Sequence, residues 1–367
     1  ERVARVLSEA ERPVIIAGNG VRISQAYAEL ATLAERLGAP VATSASGKGT
    51  FAETHDLALG TFGNFGTPLA NAIIGAADVV LVVGSKLSTT DTAYENPKLL
   101  DPRRQTLMQI DIEPKNASWT YPVEFPLIGD AKAVLSQLAA ALESTSKVLA
   151  EKAEARRAGL RSARQQHGFF DVLESHSNAA PILPQRAIKE LHKAVASDTI
   201  VACDAGENRI FMTHFFQTKA PNTFIQPAGV GGMGYAIPAA LAAKLIYPQR
   251  QVVAVCGDGG FGIGMNGLMT AVEENIPIVT VVFNNGALGW VKHGQGERNI
   301  ACDFANFDHA AIARAMGCHG IRVENPHQLV PALQEALTSD KPAVVDVHTS
   351  LSESFVKVTS PLVGERA

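Results

Sequence analysis

Short apolar runs alternate with amphipathic segments along two stretches of the chain. Between Pro13 and about Ala141 the apolar runs are PVIIAG, PVATSA, AADVVLVVG and QTLMQIDI, and the helical spacing of AYAELATLAERLG separates two of them. After Pro181 the runs are TIVACDA, QVVAVCGD, IVTVVFNN, HGIRV and AVVDVH. Strands that are apolar throughout and separated by helices are typical of parallel sheets covered on both faces. The pattern therefore predicts an α/β protein with two doubly wound domains.

The same pattern divides the chain into four segments. We expect a first domain over 1–150, a linker over 151–180, a second domain over 181–350 and a tail over 351–367. The linker is charged and alanine-rich and has no apolar run of strand length, which indicates a surface helix or a connecting segment. The tail has no clear period. Within the second domain, Pro184 suits the first turn of a helix.

Composition and charge narrow the class of protein. The 367 residues are 46% hydrophobic and 19% charged, which is typical of a globular chain. A formal charge of −4 argues against a nucleic-acid-binding face or a polybasic membrane anchor. No apolar stretch approaches the ~18–20 residues of a membrane span, and the four cysteines form no C-x-x-C pair. We expect a soluble, cytoplasmic protein that acts on small molecules. The first residue is not methionine, and we expect a piece of a longer protein.

The densest set of candidate functional groups lies at two predicted strand ends. One strand ends in GDGG, residues 257–260, and the next ends in Asn284-Asn285. Parallel strands joined by a helix finish at the same edge of a sheet, so Asp258 and Asn285 should converge although 26 residues lie between them. Two hard oxygen donors beside glycines, whose backbone N–H groups can approach an anion, predict a site for Mg²⁺ and a diphosphate. Either piece alone would read equally well as an ordinary turn or strand end.

This pairing resembles the cofactor motif of the thiamine-diphosphate-dependent enzymes, in which GDG is followed by about two dozen residues and NN. Here 24 residues separate Gly259 from Asn284. In that family the Asp, the second Asn and a backbone carbonyl two residues later hold the metal. The resemblance maps these ligands to Asp258, Asn285 and the carbonyl of Ala287.

Two further segments resemble the acetolactate-synthase-like branch of that family. GVGGMGYAIPAALAAK, from Gly229, is similar to its GTMGFGLPAA segment. The resemblance implies that Met233 wedges under the cofactor and that the carbonyl of Gly231 binds the aminopyrimidine; an ordinary core methionine is the alternative. DAGENRIFM, from Asp204, corresponds to DVGQHQMW, which helps to clasp the diphosphate, with Glu-Asn in place of Gln-His. The expected cofactor contacts are Gly206, Glu207, Asn208, Gly231, Met233, Gly257, Asp258, Gly259, Gly260 and Asn285.

A dinucleotide site is a rival interpretation of the same glycines. Gly229, Gly231 and Gly234 spell G-x-G-x-x-G, and Asp258 follows about 24 residues later, as in an NAD-dependent dehydrogenase. An acidic residue that binds a ribose hydroxyl needs no flanking glycines, whereas this Asp lies in GDGG and is matched by Asn284-Asn285. We therefore favour the thiamine-diphosphate interpretation. A non-catalytic nucleotide-binding or partner subunit is the other alternative.

The resemblance covers nearly the whole chain. Residues 1–150 are similar to the central domain of the acetolactate-synthase-like enzymes, and 181–350 to their diphosphate domain. The pyrimidine-binding domain that precedes both in the family, with the glutamate that activates the cofactor, has no counterpart in this sequence, so we expect this chain alone to be inactive. Family sites form between subunits. The resemblance thus implies a homodimer or homotetramer, with a pyrimidine-binding domain upstream or on a separate chain.

The family implies cleavage or formation of a C–C bond on a 2-oxo acid, or on a related carbonyl or acyl-CoA substrate, by a decarboxylase or carboligase. An oxalyl-CoA decarboxylase-like or benzoylformate decarboxylase-like lyase is the alternative. Residues 86–90, KLSTT, replace the RFDDR of FAD-dependent relatives, which argues against FAD and leaves the central domain empty or holding another nucleotide. Gly294 replaces a tryptophan that shapes the acceptor site. His293 is a candidate acid or base, with a packing role as the alternative.

Overall fold

The computed structural model describes residues 1–143 and 146–363. They form two compact units, each with its own six-stranded sheet. The first unit comprises residues 1–169, Thr218–Asn222 and 359–363, and the second comprises Phe170–Gln217 and Thr223–Val358.

The first unit has a parallel sheet in the order β3-β2-β1-β4-β5-β6. Its strands are β1 (Pro13–Ala17), β2 (Val41–Thr43), β3 (Ala58–Thr61), β4 (Val79–Val83), β5 (Thr106–Asp111) and β6 (Phe125–Ile128). Its helices are α1 (Arg2–Glu9), α2 (Asn19–Ile23), α3 (Tyr27–Leu37), α4 (Pro68–Ala76), α5 (Ala131–Ala141) and α6 (Ser146–His167). Every residue of the central strands β1 and β4 is buried, which explains why their sequences are apolar without interruption.

The second unit has a parallel sheet in the order β11-β12-β10-β9-β7-β8. Its strands are β7 (Ile200–Cys203), β8 (Phe224–Ile225), β9 (Val252–Gly257), β10 (Val279–Asn284), β11 (His319–Val323) and β12 (Ala343–His348). Its helices are α7 (Pro184–Ala194), α8 (Glu207–Phe215), α9 (Ala236–Ile246), α10 (Asp258–Gly264), α11 (Gly267–Glu273), α12 (Gly289–Gln295), α13 (His309–Ala315), α14 (Leu329–Leu337) and α15 (Phe355–Val358). The strand order reverses between β7 and β9, as in doubly wound folds.

The predicted α/β architecture with two doubly wound sheets is confirmed. Each of the nine predicted apolar runs contains a strand, and Pro184 is the first residue of α7. Three of the observed strands, β3, β6 and β8, were not predicted by the pattern. β8 has only two residues, β3 contains a glycine, and β6 is an edge strand with a proline and partly exposed side chains, so none gives a continuous apolar run.

The compact units divide the chain at 169/170, whereas the sequence predicts boundaries at 150 and 180. Most of the predicted linker is part of α6, and this helix belongs to the first unit because its arginines bind carbonyl groups there. Arg156 binds the carbonyls of Leu37 and Ala10, and Arg164 binds that of Ala58. Charge at these positions therefore fixes the helix in place, although the sequence pattern resembles that of a solvated segment.

The C-terminal segment also differs from the predicted tail. Residues 351–358 belong to the second unit and include α15, while 359–363 belong to the first. In the described ranges, no helix combines the length and the apolar character needed to cross a membrane.

Candidate functional site

Two strand ends of the second unit meet at one edge of its sheet. β9 ends at Gly257 and its neighbour β10 ends at Asn284, so Asp258 and Asn285 follow side by side, as the sequence predicts. Both residues line one cleft. β7, the neighbour of β9 on the other side, ends at Cys203. The cleft thus lies where the strand order reverses, which is the usual ligand position in open α/β sheets.

Most of the predicted site residues come together in this cleft. Among the described residues, its lining does not include Gly231 or His293. The predicted residues that do line it are Gly206, Glu207, Asn208, Met233, Gly257, Asp258, Gly259, Gly260, Asn285 and Ala287.

The carboxylate of Asp258 is buried and held by backbone N–H groups. Oδ2 accepts those of Gly286 at 2.8 Å and Ala287 at 3.1 Å, and Oδ1 accepts that of Gly259 at 2.9 Å. Burial raises the pKa of Asp258 above its ordinary value, while these hydrogen bonds and the charge of His309 oppose the shift. A cation bound beside this carboxylate would favour its ionised form.

The oxygen donors at this edge suit a hard cation. Asp258 offers a carboxylate and Asn285 an amide oxygen, which also accepts the N–H of Ala287 at 3.1 Å. Such donors are those that Mg²⁺ takes in proteins. In the part of the chain that the structure describes, no three His, Cys, Asp or Glu side chains lie close enough to hold a metal ion. A cation here would therefore take its remaining ligands from backbone carbonyls, water or a bound phosphate.

Glycines make room at the cleft. A Cβ added at Gly259 would lie 2.7 Å from Cδ2 of Leu288 and 2.8 Å from Cε of Met233, and one at Gly260 would lie 3.1 Å from Cγ of Asp204. Gly206, with φ of 106°, has a backbone conformation that side chains disfavour. A larger residue at Gly259 or Gly260 would therefore require the neighbouring side chains to shift.

The loop that carries Met233 is fixed by a buried acid. Asp204 accepts the N–H groups of Gly234 and Ala236, each at 3.0 Å. Burial raises the pKa of Asp204, and the backbone hydrogen bonds oppose the shift. Gly231, with φ of 65°, lies in the same loop. Asp204 was not assigned a role from the sequence, although a lone Asp directly after an apolar strand is a usable signal.

Glu207 and His293, separate candidates in the sequence, are bonded to each other. Oε1 of Glu207 lies 2.7 Å from Nδ1 of His293 and accepts the backbone N–H of Phe355 at 2.7 Å. Nε2 of His293 lies 3.1 Å from the carbonyl of Leu351. Burial raises the pKa of Glu207, and these partners oppose the shift. The neighbouring Asn208 donates to the carbonyl of Asp204 at 3.3 Å.

Sequence reasoning missed the support behind Asn284, the first of the two asparagines. Nδ2 of Asn284 donates to Asp346 at 3.0 Å and to the carbonyl of Phe307 at 3.1 Å. Asp346 also accepts from the backbone and ring of His309 and from Arg322. Although burial opposes ionisation, the hydrogen bonds and charge of His309 hold the pKa of Asp346 below its ordinary value. The available signal was a single acid inside the apolar strand AVVDVH.

Comparison with protein families accounts for both units. A model described as the C-terminal TPP binding domain of thiamine pyrophosphate enzymes matches residues 204–347, and one described as the central domain of these enzymes matches 1–138. The chain belongs to the thiamine pyrophosphate enzyme family. Thiamine pyrophosphate is the same molecule as thiamine diphosphate. Membership of this family favours the diphosphate interpretation of the glycines over the dinucleotide one.

Several curated proteins are similar to the chain along most of its length. It is 34% identical to a probable acetolactate synthase large subunit of Methanocaldococcus jannaschii, over 98% of this chain and 61% of that protein. It is 32% identical to the putative thiamine pyrophosphate-containing protein YdaP of Bacillus subtilis, over 94% of this chain and 58% of that protein. It is 31% identical to the sulfoacetaldehyde acetyltransferase of Castellaniella defragrans, over 92% of this chain and 60% of that protein. The chain thus spans about three fifths of the length of these relatives.

Proposed function

We propose that this chain supplies the diphosphate half of a site that uses thiamine diphosphate and Mg²⁺ to cleave or form a C–C bond beside a carbonyl group. The observation that carries the proposal is the convergence of Asp258 and Asn285 at the switch point of the second sheet, among close-packed glycines. When bound, thiamine diphosphate would supply an electron sink for the negative charge that develops on the carbonyl carbon of a 2-oxo acid when a C–C bond to that carbon is cleaved or formed.

The residues of the chain bind and orient. Asp258, Asn285 and the carbonyl of Ala287 would hold Mg²⁺, and the N–H groups around 206–208 and 257–260 would contact the phosphates. Met233, packed against Gly259, would support the cofactor from below. Apolar side chains of the cleft, Leu288 and Trp290 among them, would keep water from the reacting atoms.

The names of the family members favour carbon-chain joining or acyl transfer. They describe a synthase of acetolactate and an acetyltransferase for sulfoacetaldehyde. Both names are compatible with the joining or transfer of a small acyl unit, so we propose a carboligase or acyltransferase acting on a 2-oxo acid or a related carbonyl substrate.

The surface of the second unit supports the need for a further domain. Several large apolar side chains on the loop of Met233 and on the segments beside it and beside Gly259 are exposed: Val230, Met233, Ile263 and Phe304. Such a surface on a folded unit is typical of an interface. We propose that a pyrimidine-binding domain, from the same natural protein or another chain, covers it in a homodimer or homotetramer, and that residues 1–367 alone are inactive.

Native mass spectrometry of the protein purified from its source, with Mg²⁺ and thiamine diphosphate present, tests this proposal. It reports chain mass, bound cofactor and oligomeric state together. We expect an oligomer with the cofactor bound and a mass per chain above 38.8 kDa, or a second chain in the complex. An oligomer of 38.8 kDa chains that takes up no thiamine diphosphate would overturn the proposal and favour a non-catalytic role.

A further inference from the structure

The segment 349–358 begins in the lining of the cleft of the second unit, and its first half is attached to α7 and to Ile182, two residues before that helix. Thr349 and Ser350 line the cleft. The N–H of Ser350 donates to the carbonyl of Ile182 at 2.8 Å, and Nε2 of Gln185 donates to Glu353 at 2.8 Å. These contacts involve neither α8 nor α12, the two helices that carry Glu207 and His293.

Glu207 and His293 hold the segment at two further points, Phe355 and Leu351. Oε1 of Glu207, at the start of α8, accepts the N–H of Phe355. His293, in α12, reaches the carbonyl of Leu351 through Nε2 and Glu207 through Nδ1. A carbonyl oxygen only accepts, so Nε2 carries a hydrogen, and one further proton lies between the carboxylate and Nδ1. Both ring nitrogens of His293 are thus engaged with protein atoms.

The pair is packed as well as bonded. The side chains of Glu207 and His293 are only 4% and 18% exposed. A Cβ added at Gly289 would overlap Oε2 of Glu207, so the glycine at the start of α12 provides the space for this carboxylate. The ring of Trp290 stacks on Phe355, with centroids 5.1 Å apart and an angle of 21° between the planes.

The geometry points to a positioning role: Glu207 and His293 fasten residues 351–358 along the rim of the cleft and thereby fix Trp290 and the start of α8 against a bound cofactor. This inference rests on the proposed function, because it takes the cleft as the cofactor site. Neither residue reacts with the substrate in this role. Glu207, Gly289 and Trp290 all line the cleft, so movement of the segment would alter three parts of its wall.

Hydrogen exchange of the complete natural protein tests the fastening. In Glu207→Ala the N–H of Phe355 loses its acceptor, and we expect exchange in peptides covering 351–358 to rise about tenfold or more. His293→Phe, which keeps an aromatic ring but removes both nitrogens, should raise exchange in the same peptides. Glu207→Gln should restore most of the protection, since its amide oxygen still accepts from Phe355. The matched control is Glu335→Ala, which removes an exposed Glu–His pair of 2.8 Å in the same unit.

Cofactor affinity, measured by calorimetry with thiamine diphosphate and Mg²⁺, tests the positioning. We expect a weakening of about tenfold in Glu207→Ala and recovery in Glu207→Gln. Unchanged exchange at 351–358 in both Glu207→Ala and His293→Phe, or the same rise in Glu335→Ala, would overturn the fastening. Raised exchange with unchanged affinity would overturn the positioning. If the unmutated protein binds no thiamine diphosphate while Glu207→Ala still releases the segment, the proposed function and the positioning both fail and the fastening alone stands.

Discussion

The carboxylate of Asp346 accepts a hydrogen bond from the side-chain amide of Asn284 at 3.0 Å, across the neighbouring strands β12 and β10. This contact commits the first of the two adjacent asparagines to the interior of the sheet. Asn285, one residue later, lines the cleft. The two asparagines therefore differ in role. Asn284 fixes the end of β10, and Asn285 is accessible to a ligand in the cleft.

Asp346→Asn should lower the free energy of unfolding by about 1–3 kcal/mol near neutral pH, because the buried carboxylate that accepts from Asn284, His309 and Arg322 is replaced by an amide with a single acceptor oxygen. Denaturant unfolding of the variant checks the value. The matched control is Asp340→Asn, at an exposed position of the same unit, which should change stability by less than about 0.5 kcal/mol. Equal effects of the two substitutions would contradict the buried network.

The same carboxylate predicts a pH dependence. The pKa of Asp346 is lower in the folded state than in the unfolded chain, so its contribution to stability is fully present above the unfolded value of about 3.9. The contribution is lost as the pH falls through the lower, folded value. The difference in stability between the natural protein and Asp346→Asn should therefore shrink below about pH 4. A difference that stays constant between neutral and acidic pH would contradict this assignment.

Asp258→Ala should raise the dissociation constant for Mg²⁺, in the presence of thiamine diphosphate, by about a hundredfold or more, because changes to groups that only orient metal ligands already cost about 10–100-fold. Calorimetric titration of the complete protein measures it. The matched control is Cys256→Ala, two residues away in the buried end of β9. It should lower stability through lost packing and leave the Mg²⁺ affinity nearly unchanged. Unchanged Mg²⁺ affinity in Asp258→Ala would refute the metal assignment.

Gly289→Ala should destabilise the protein by about 1–3 kcal/mol, because its Cβ would overlap the carboxylate of Glu207. Gly294→Ala, in the same helix, is the matched control. A Cβ there meets no atom within 4 Å, so the change should be neutral or stabilising by up to about 1 kcal/mol. Thermal and denaturant unfolding measure the stability of both variants. A Gly289→Ala protein as stable as Gly294→Ala would argue against close packing around Glu207.

A buried ion pair in the first unit gives a further test. Nζ of Lys48 lies 2.7 Å from both carboxylate oxygens of Glu53, and the side chains are 0% and 1% exposed. Lys48→Met should lower the free energy of unfolding by about 3–5 kcal/mol, since it removes the ammonium group that balances the buried carboxylate of Glu53. The double variant Lys48→Met/Glu53→Gln buries no charge at this site. Its free energy of unfolding should therefore fall by less than that of the single variant. Lys132→Met, which breaks an ion pair whose lysine is more than half exposed, should cost no more than about 1 kcal/mol.

The sequence by itself determined the architecture and the centre of the site. Uninterrupted apolar runs separated by helices identified two parallel sheets, and GDGG and NN at two strand ends placed Asp258 and Asn285 at one edge. Both deductions need only local periodicity and the rule that parallel strands finish at the same side.

Only the tertiary structure decided which side chains support that centre. Glu207 meets His293 across 86 residues and Phe355 across 148, and Asn284 meets Asp346 across 62. These pairs depend on strand order and on helix positions that no local pattern specifies. Likewise, the sequence of α6 is typical of a linker, and only the structure shows that its arginines donate hydrogen bonds to carbonyl groups of the first unit. Periodicity reports whether a residue faces a core, whereas a polar contact between distant segments depends on how the whole chain folds back on itself.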